Sequence, residues 1–418
     1  LLDTLFIFYK NLHFILKWSI IYQRGEHVKN IELLLDKKNQ CDTLRGKQVI
    51  KNKYKSTGKP MFNGIAFQKF IEKINKIICR ENIENELPVE LKIGKVFFKD
   101  KATYILLEAV IYLLLRDYNV KLTLSITPKI DGLYDGDIKK SLIYKNKNTS
   151  LDKNKYINDF KKFNLELNHF RKIIIYKTIE ENGIKLSVLS TELACFFKNY
   201  IDDDEYVDSL VEVLGELADN SLSHGESDCL IDINIETVYN RKNPSPNKYI
   251  SLDIVIVNFD KKLLGDRIKD KFFNNDFKGS PKTEKLLNTA LENHKSKFSE
   301  SYTFDDFCNC ASFQWRVSSR QSSSDSFAGT GLTTLIDGLI NKSESVYCYV
   351  YSGNKIINFI NGMVSLDENR FIGFNKENDF LNKIPDKSSI TRSNYNLNGV
   401  LYNLNFIVKK EGVDNENG

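Results

Sequence analysis

The sequence predicts an α+β protein whose C-terminal half is a two-layer sandwich, with helices packed on one side of a mostly antiparallel sheet. Three observations lead to this class. The segment Tyr206–Gly225 repeats apolar residues at spacings of three and four, as a half-buried helix does. The segments Cys229–Val238 and Tyr249–Val257 follow it with the patterns of strands joined by a turn. Nearer the N-terminus, an apolar helical segment lies between two strand-like segments, which predicts a smaller α/β module.

Length and composition set the broad limits. A chain of 418 residues is expected to form two or three domains, and 41% hydrophobic with 28% charged residues is typical of a globular protein rather than a disordered one. The net charge is only +5, from 60 basic and 55 acidic residues, so the chain-wide balance gives no clear nucleic-acid signal. Seven scattered cysteines without zinc-site spacing favour a reducing cytoplasm.

Residues 1–80 are predicted to be a helical N-terminal region with a break at Gly58–Pro60. Its first part is apolar, but Asp3, Lys10 and Lys17 interrupt it, and charges near the middle of a bilayer are costly. We therefore expect a helix that is buried or faces a partner rather than one that crosses a membrane.

Residues 81–150 are predicted to form a small α/β module followed by a linker. Leu87–Asp100 alternates as a strand or hairpin, Ala102–Tyr118 is a strongly apolar helix, and Val120–Ile126 alternates again. Residues 131–155 are rich in Lys, Asn, Asp and Ser, which is typical of a linker. The strand–helix–strand unit faintly resembles the STAS-like modules that accompany some bacterial ATPases.

The helix Tyr206–Gly225 carries the residues with the clearest chemical meaning. Glu216 and Asn220 are four residues apart, so their side chains lie one turn apart on the same helical face. A carboxylate beside a carboxamide suits a site in which one side chain polarises water and the other binds magnesium through its oxygen. The alternative is a solvated polar face, which an isolated pair of this spacing would favour.

The full string ELADNSLSHG resembles the N-box of the GHKL superfamily, which comprises gyrase, heat-shock chaperone, histidine kinase and mismatch-repair ATPases. The resemblance implies a Bergerat-type ATP-binding fold over residues 151–412, with ATP and Mg²⁺ as its ligands. It implies Glu216 as general base, Asn220 as the magnesium ligand and a nucleotide contact, and His224 as a residue close to the nucleotide.

In this family the second strand after the N-box ends in an adenine-binding box, D-x-G-x-G. Here the strand leads into VNFDKKLLGDR, which places Asn258 at the aspartate position and Asp260 at the first glycine position. An Asn oxygen can accept a hydrogen bond from the adenine amine, and Asp tolerates left-handed backbone. This box is the clearest departure of the chain from the family pattern.

A long polar segment, residues 261–328, occupies the position of the nucleotide-covering lid and includes a predicted helix at Thr283–His294. A glycine turn before a helix follows, and glycines there free backbone amides to hold phosphate. The turn resembles the family's G-T-G-L phosphate box and comprises Gly329, Thr330, Gly331, Leu332 and Thr333. The segments Ser345–Gly353, Lys355–Ile360 and Gly399–Val408 are predicted to supply the remaining strands.

Three functions fit this sequence. Glu216 favours an ATPase that moves its N-terminal region, a protein partner or the second subunit of a homodimer, since a general base is needed when water is the acceptor. A histidine kinase requires a phosphoacceptor histidine in an H-[ED]-x-[KR] setting, which His13, His27 and His169 lack, while an anti-sigma-type serine kinase stays open. The third possibility is a scaffold that does not hydrolyse ATP. Proteins with this resemblance often act in bacterial signalling or phage defence.

Overall fold

The fold is mixed α/β and contains two sheets separated by a helix. The computed structural model describes residues 30–35, 46–56, 59–78, 86–128, 138–161, 168–176, 185–225, 227–238, 249–274, 281–314, 335–343 and 345–409. Among these residues, no helix has the length and apolar character needed to cross a bilayer.

The N-terminal sheet has six strands: β1 (Gln48–Lys51), β2 (Lys55–Ser56), β3 (Lys59–Phe62), β4 (Leu87–Phe98), β5 (Val120–Pro128) and β6 (Thr149–Ser150). β1 and β3 pair in parallel with successive stretches of one edge of β4, and β5 pairs in parallel with the other edge of β4.

Helix α1 (Gly64–Ile77) is capped by Asn63, whose side chain accepts a hydrogen bond from the amide of Ala66. The prediction of helix throughout residues 1–80 is therefore wrong over the three strands between residues 48 and 62. The apolar segment at the start of the chain lies outside the described residues.

Helix α2 (Lys101–Asp117) connects β4 to β5, which confirms the predicted strand–helix–strand unit. Asp100 caps the helix by accepting hydrogen bonds from the amide and hydroxyl of Thr103, at 2.9 and 2.6 Å. Every residue from Lys101 to Leu115 is buried. A helix that is apolar around its whole circumference needs cover on all sides, and α2 obtains it from β4 and β5 on one side and the second sheet on the other.

The predicted linker is also partly structured. Residues 138–161 contain α3 (Leu142–Lys145), the short strand β6 and α4 (Lys153–Lys161), and α4 packs against α2. Tyr112 of α2 stacks on Phe160 of α4, with ring centroids 4.5 Å apart. The linker prediction is therefore wrong over residues 138–155, because a few apolar residues in a polar segment suffice to attach it to a large apolar helix.

The C-terminal sheet is antiparallel, in the order β10-β11-β9-β8-β7, and its strands are β7 (His169–Ile174), β8 (Cys229–Val238), β9 (Tyr249–Asn258), β10 (Ser345–Phe359) and β11 (Ile390–Lys409). Helices α5 (Lys185–Phe197) and α6 (Asp204–Gly225) form an apolar core with one face of the sheet. The predicted hairpin after α6 is confirmed. The two strands predicted around residue 353 are one strand, β10, with irregular pairing near Gly353.

Three further helices extend this apolar core: α7 (Asp266–Asn274), α8 (Pro281–Lys295) and α9 (Phe304–Ala311). α8 confirms the helix predicted within residues 261–328. α9 begins with a capping box, in which Thr303 and Asp306 each accept a hydrogen bond from the other's backbone amide. The six-residue π-helix α10 (Leu335–Ile340) packs on α6.

Helix α2 contacts the other face of the C-terminal sheet through buried charges. Lys101 Nζ lies 2.6 Å from Asp232 Oδ1, and the guanidinium of Arg171 contacts Asp232 and lies 2.6 Å from Glu108 Oε2. His169 Nε2 lies 3.1 Å from the second oxygen of Asp232. Burial opposes ionisation of Asp232, but the positive charges of Arg171 and Lys101, together with the hydrogen bond to His169, hold its pKa well below the usual range. This ionic cluster, formed by Lys101, Glu108, His169, Arg171 and Asp232, links the two halves of the molecule.

Candidate functional site

Helix α6 has the boundaries and the two faces that the sequence predicts. Leu210, Leu214 and Leu217 are fully buried against the sheet. Glu216 and Asn220 are half-buried, one turn apart on the adjoining flank. The pairing of an acid and an amide on one helical face is therefore present.

The end of α6 is fixed to the sheet by a thiol contact. Burial raises the pKa of the Cys229 thiol to about 12, although a hydrogen bond with the Ser221 side chain opposes the shift. This thiol is therefore inert as a nucleophile at neutral pH. Ser221 adjoins Asn220 in sequence, and Cys229 begins β8. The contact places the last turns of α6 beside the first residue of β8.

Asn258 ends β9 beside Cys229 of β8 and Val400 of β11. Its side-chain oxygen accepts a hydrogen bond from the backbone amide of Val400 at 2.7 Å. The preceding residue, Gly399, has φ +121° and lies so close that a Cβ would sit 2.1 Å from the backbone oxygen of Asn258. The predicted acceptor for adenine thus already has a structural partner inside the protein.

Two residues just beyond the paired ends of β8 and β9 have buried polar atoms without hydrogen-bond partners among the described residues. They are Ser227, through Oγ, and Asp260, through Oδ2. Asp260 is 8% exposed, and its other carboxylate oxygen accepts from the amide of Lys262 at 3.2 Å. Ser227 lies two residues before Cys229 and Asp260 lies two residues after Asn258, so both residues adjoin the paired ends of β8 and β9 at one end of the sheet. Sequence reasoning did not select Ser227, since one serine after a helix has no distinguishing pattern.

Helix α10 packs on α6. The residues that follow the C-terminal end of α10 contact the first turn of α6: Lys342 Nζ lies 2.8 Å from Glu205, and the hydroxyl of Ser343 lies 3.3 Å from that of Tyr206. The C-terminal end of α10 therefore lies beside the start of α6.

Several predicted site residues cannot be placed. The phosphate-box residues, Gly329 to Thr333, lie outside the described residues. His224 belongs to the last turn of α6, but its side chain also lies outside them. The described residues therefore place the end of α6 beside the paired ends of β8 and β9, and leave the phosphate box unplaced.

A cavity of about 100 Å³ lies at the same end of the sheet, between β10 and helices α7 and α9. It is lined by Leu263, Gly265, Asp266, Lys269, Asp305, Cys308, Asn309, Ser352, Gly353, Asn354, Lys355 and Asn396. Its lysines are paired, because Lys269 lies 2.8 Å from Asp305 and Lys355 lies 3.0 Å from Asp306. Neither Glu216 nor Asn220 lines it, so this cavity is separate from the N-box flank.

The described residues contain no group of three or more His, Cys, Asp or Glu side chains that could hold a metal ion. Comparison of the chain with protein-family models, with curated proteins and with solved structures gave no match.

Proposed function

We propose that the C-terminal module binds ATP with Mg²⁺ through a GHKL-type, Bergerat fold and hydrolyses the nucleotide. The observation that carries this proposal is the buried carboxylate of Asp260, whose Oδ2 has no partner among the described residues. A buried acceptor without a partner costs about 1–3 kcal/mol, so a ligand that donates a hydrogen bond to it is favoured. The exocyclic amine of adenine is such a donor.

Within this proposal Asp260, rather than Asn258, is the residue that accepts from adenine. The oxygen of Asn258 is already bonded to the amide of Val400, whereas one oxygen of Asp260 has no hydrogen-bond partner among the described residues. Ser227 lies two residues before β8, at the same end of the sheet, and its hydroxyl can donate to a ring nitrogen of the base. Both buried polar atoms thus find partners in one bound purine.

The flank of α6 provides the groups for the phosphate end of the nucleotide. The amide oxygen of Asn220 would hold Mg²⁺, which supplies charge neutralisation to the phosphates when bound. The carboxylate of Glu216 would accept the proton of the attacking water. Both side chains are half-buried on the face predicted from the sequence.

Chain connectivity is compatible with a phosphate-binding turn near this flank. Helix α10, which follows the predicted phosphate box, packs on α6, the helix that carries Glu216. Gly331 precedes Leu335 by four residues, so their Cα atoms can be separated by at most about 14 Å. The reach of the chain supports the proposed juxtaposition.

One observation favours hydrolysis over a histidine-kinase reaction. His169, one of the three histidines considered as phosphoacceptors, lies on strand β7 and is buried against Asp232. It is neither on a helix nor accessible to a nucleotide. The other two, His13 and His27, lie outside the described residues.

Nucleotide binding tests the role of Asp260. Titration calorimetry with the full chain and Mg²⁺ should detect ATP, and Asp260→Asn should weaken ATP binding roughly tenfold or more, since a charged hydrogen-bond acceptor is lost. GTP, which has an acceptor where ATP has the amine, should lose less affinity or gain some. Asp270→Asn is the matched control, because Asp270 is exposed on α7. No ATP binding by the wild-type chain would refute the proposal and leave a scaffold.

Turnover separates hydrolysis from phosphate transfer. Glu216→Gln should keep ATP binding and lower the hydrolysis rate about 10²- to 10⁴-fold, the usual contribution of a general base. Glu205→Gln, an exposed residue on the first turn of the same helix, should leave the rate unchanged. Binding without hydrolysis, combined with transfer of labelled phosphate to a protein serine, would replace the ATPase by a kinase.

A further inference from the structure

The two halves of the chain differ in charge. Residues 1–161 contain 30 basic and 18 acidic side chains, whereas residues 162–418 contain 30 basic and 37 acidic ones. The weak net charge of +5 is therefore the sum of a basic N-terminal half and an acidic C-terminal half. A general enrichment of lysine in the chain would make both halves basic, so composition alone does not explain this difference.

Part of the positive charge forms one surface, which we call the basic face. It lies on β1, the segment that follows β1, β4 and α1, and it consists of Lys51, Lys53, Lys69, Lys73 and Lys92. Lys51 and Lys92 are paired on adjacent strands, and their side chains are exposed on the side of the sheet opposite α2. The Nζ of Lys73 donates to the backbone oxygen of Lys51 at 2.6 Å.

The lysines of the basic face lie close to one another. Burial, followed by the positive charges of Lys53 and Lys69, lowers the pKa of Lys73. Lys69 Nζ also lies 5.5 Å from the centre of the half-buried Tyr54 ring, so an aromatic side chain adjoins the charges.

Carboxylates on the same elements form their closest contacts with other residues. Glu90 pairs with Lys47 at 2.7 Å, and Glu72 accepts from Gln68 at 2.6 Å. Within the described part of the chain, none of the five lysines forms a salt bridge. Concentrating like charges without partners is unfavourable in the isolated protein, so an anionic ligand would relieve the repulsion.

We propose that the basic face binds nucleic acid through its phosphate backbone. Five lysines on adjoining strands and a helix supply mobile point charges, which suit phosphates more than the planar edges of bases that arginine reads. The binding is therefore expected to be independent of base sequence and sensitive to salt. This inference does not rest on ATP binding, because none of these lysines belongs to the candidate nucleotide site on α6 and the C-terminal sheet.

Fluorescence anisotropy with the full chain tests the proposal, using a labelled mixed-sequence DNA duplex, its single strand and the matching RNA at several salt concentrations without nucleotide. We expect binding to at least one of them that weakens steeply with salt. The triple variant Lys51→Ala/Lys53→Ala/Lys92→Ala should bind roughly tenfold or more weakly, and the slope of log affinity against log salt should fall by about 2–3. Its melting temperature should stay unchanged, since the three side chains are exposed.

The matched control is Lys198→Ala/Lys282→Ala/Lys285→Ala, which removes the same charge from exposed positions in the C-terminal half. It should keep the wild-type affinity. Equal weakening by both triple variants, or no binding to any of the three nucleic acids at low salt, would overturn the proposal. Tighter binding to vesicles containing phosphatidylserine than to nucleic acid would also overturn it and assign the face to a membrane surface.

Discussion

The two faces of the C-terminal sheet are both buried, but their interfaces differ in chemistry. Toward α6, strands β8 and β9 present fully buried Ile231 and Ile233 together with Ile254 and Ile256. Toward α2, the alternate positions carry Asp232, which is 1% exposed and bonded to Lys101 and Arg171. The interface with α6 is therefore apolar, whereas the interface with the N-terminal half combines apolar contacts, including those of Val255 and Leu401, with buried ion pairs.

The difference shows that alternating apolar and polar residues can lead to a wrong prediction of which face of a strand is exposed. A strand that alternates isoleucine with Asp and Asn predicts a half-buried strand with one face in water, and this prediction is wrong for β8. Apolar contacts tolerate small shifts between partners, whereas hydrogen-bonded ion pairs require one geometry. We infer that the ionic cluster fixes the position of α2 on the sheet, while apolar residues on both faces supply the apolar burial.

The largest expected effect comes from breaking the ionic cluster. Asp232→Ala should lower the free energy of unfolding by about 3–5 kcal/mol, because Lys101 and Arg171 stay buried without their shared partner. Urea denaturation followed by circular dichroism measures the change. The control is Glu236→Ala, on the same strand but with a side chain 45% exposed, which should cost about 0.5 kcal/mol or less. If the two variants lose similar amounts of unfolding free energy, the buried charge on this strand contributes no more to stability than the exposed one.

The apolar face should respond to truncation almost as strongly but with a different pH dependence. Leu214→Ala should cost about 2–5 kcal/mol, because it leaves a cavity in a fully buried site. This cost should be similar at pH 7 and pH 3. The cost of Asp232→Ala should instead shrink as the pH falls below about 4. The lowered pKa of Asp232 stabilises the fold above the unfolded pKa, and this contribution is lost as the carboxylate is protonated. Parallel pH profiles for the two variants would contradict the assignment.

Where Gly399 of β11 lies beside the end of β9, the available space rather than charge limits which residue fits. Gly399→Ala should cost about 1–3 kcal/mol, since φ is +121° and the new Cβ would meet the backbone oxygen of Asn258 at 2.1 Å. Gly64→Ala is the control, because it has no close neighbour and lies at the start of α1. That substitution should be neutral or stabilise the protein by up to about 1 kcal/mol. Thermal unfolding of both variants compares them, and an equal effect would show that the close approach at Gly399 is relaxed in solution.

The smallest effect is expected at a partly exposed ion pair that resembles the ionic cluster in chemistry only. Both terminal nitrogens of the Arg392 guanidinium donate to the carboxylate of Asp306, at 2.7 and 2.6 Å. Arg392→Ala should cost about 1 kcal/mol, because solvent screens an arginine that is 35% exposed. Burial tends to raise the pKa of Asp306, but hydrogen bonds from Arg392 and Thr303, with Lys355 nearby, lower it to about 2.

The stability that Asp306 contributes should therefore be complete above about pH 4 and lost as the pH falls toward 2. In Arg392→Ala this loss should begin at higher pH. Unfolding free energies measured between pH 2 and pH 7 give the comparison. If the unfolding free energy of the variant falls over the same acidic pH range as that of the wild type, Arg392 does not set the pKa of Asp306.

The sequence predicted the local elements of the candidate site well, and their partners poorly. Periodicity identified α6 and placed Glu216 and Asn220 on one flank, because helical spacing depends only on the order of residues. It did not show that Asn258 bonds to Val400, or that Asp260 keeps a buried oxygen without a partner. Those facts depend on β11, whose pairing residues lie far along the chain from β9.

By itself, the sequence predicted α6, the β8–β9 hairpin and α8 in the C-terminal half, since these elements follow from short-range patterns of apolar residues and from turns. Only the tertiary structure decided which polar residues are buried. The covering of β8 by α2, the pairing of Arg171 with Glu108 and the grouping of Lys51 with Lys92 all join segments that are separated in the chain. Burial and charge proximity are properties of such distant contacts, and no local pattern specifies them.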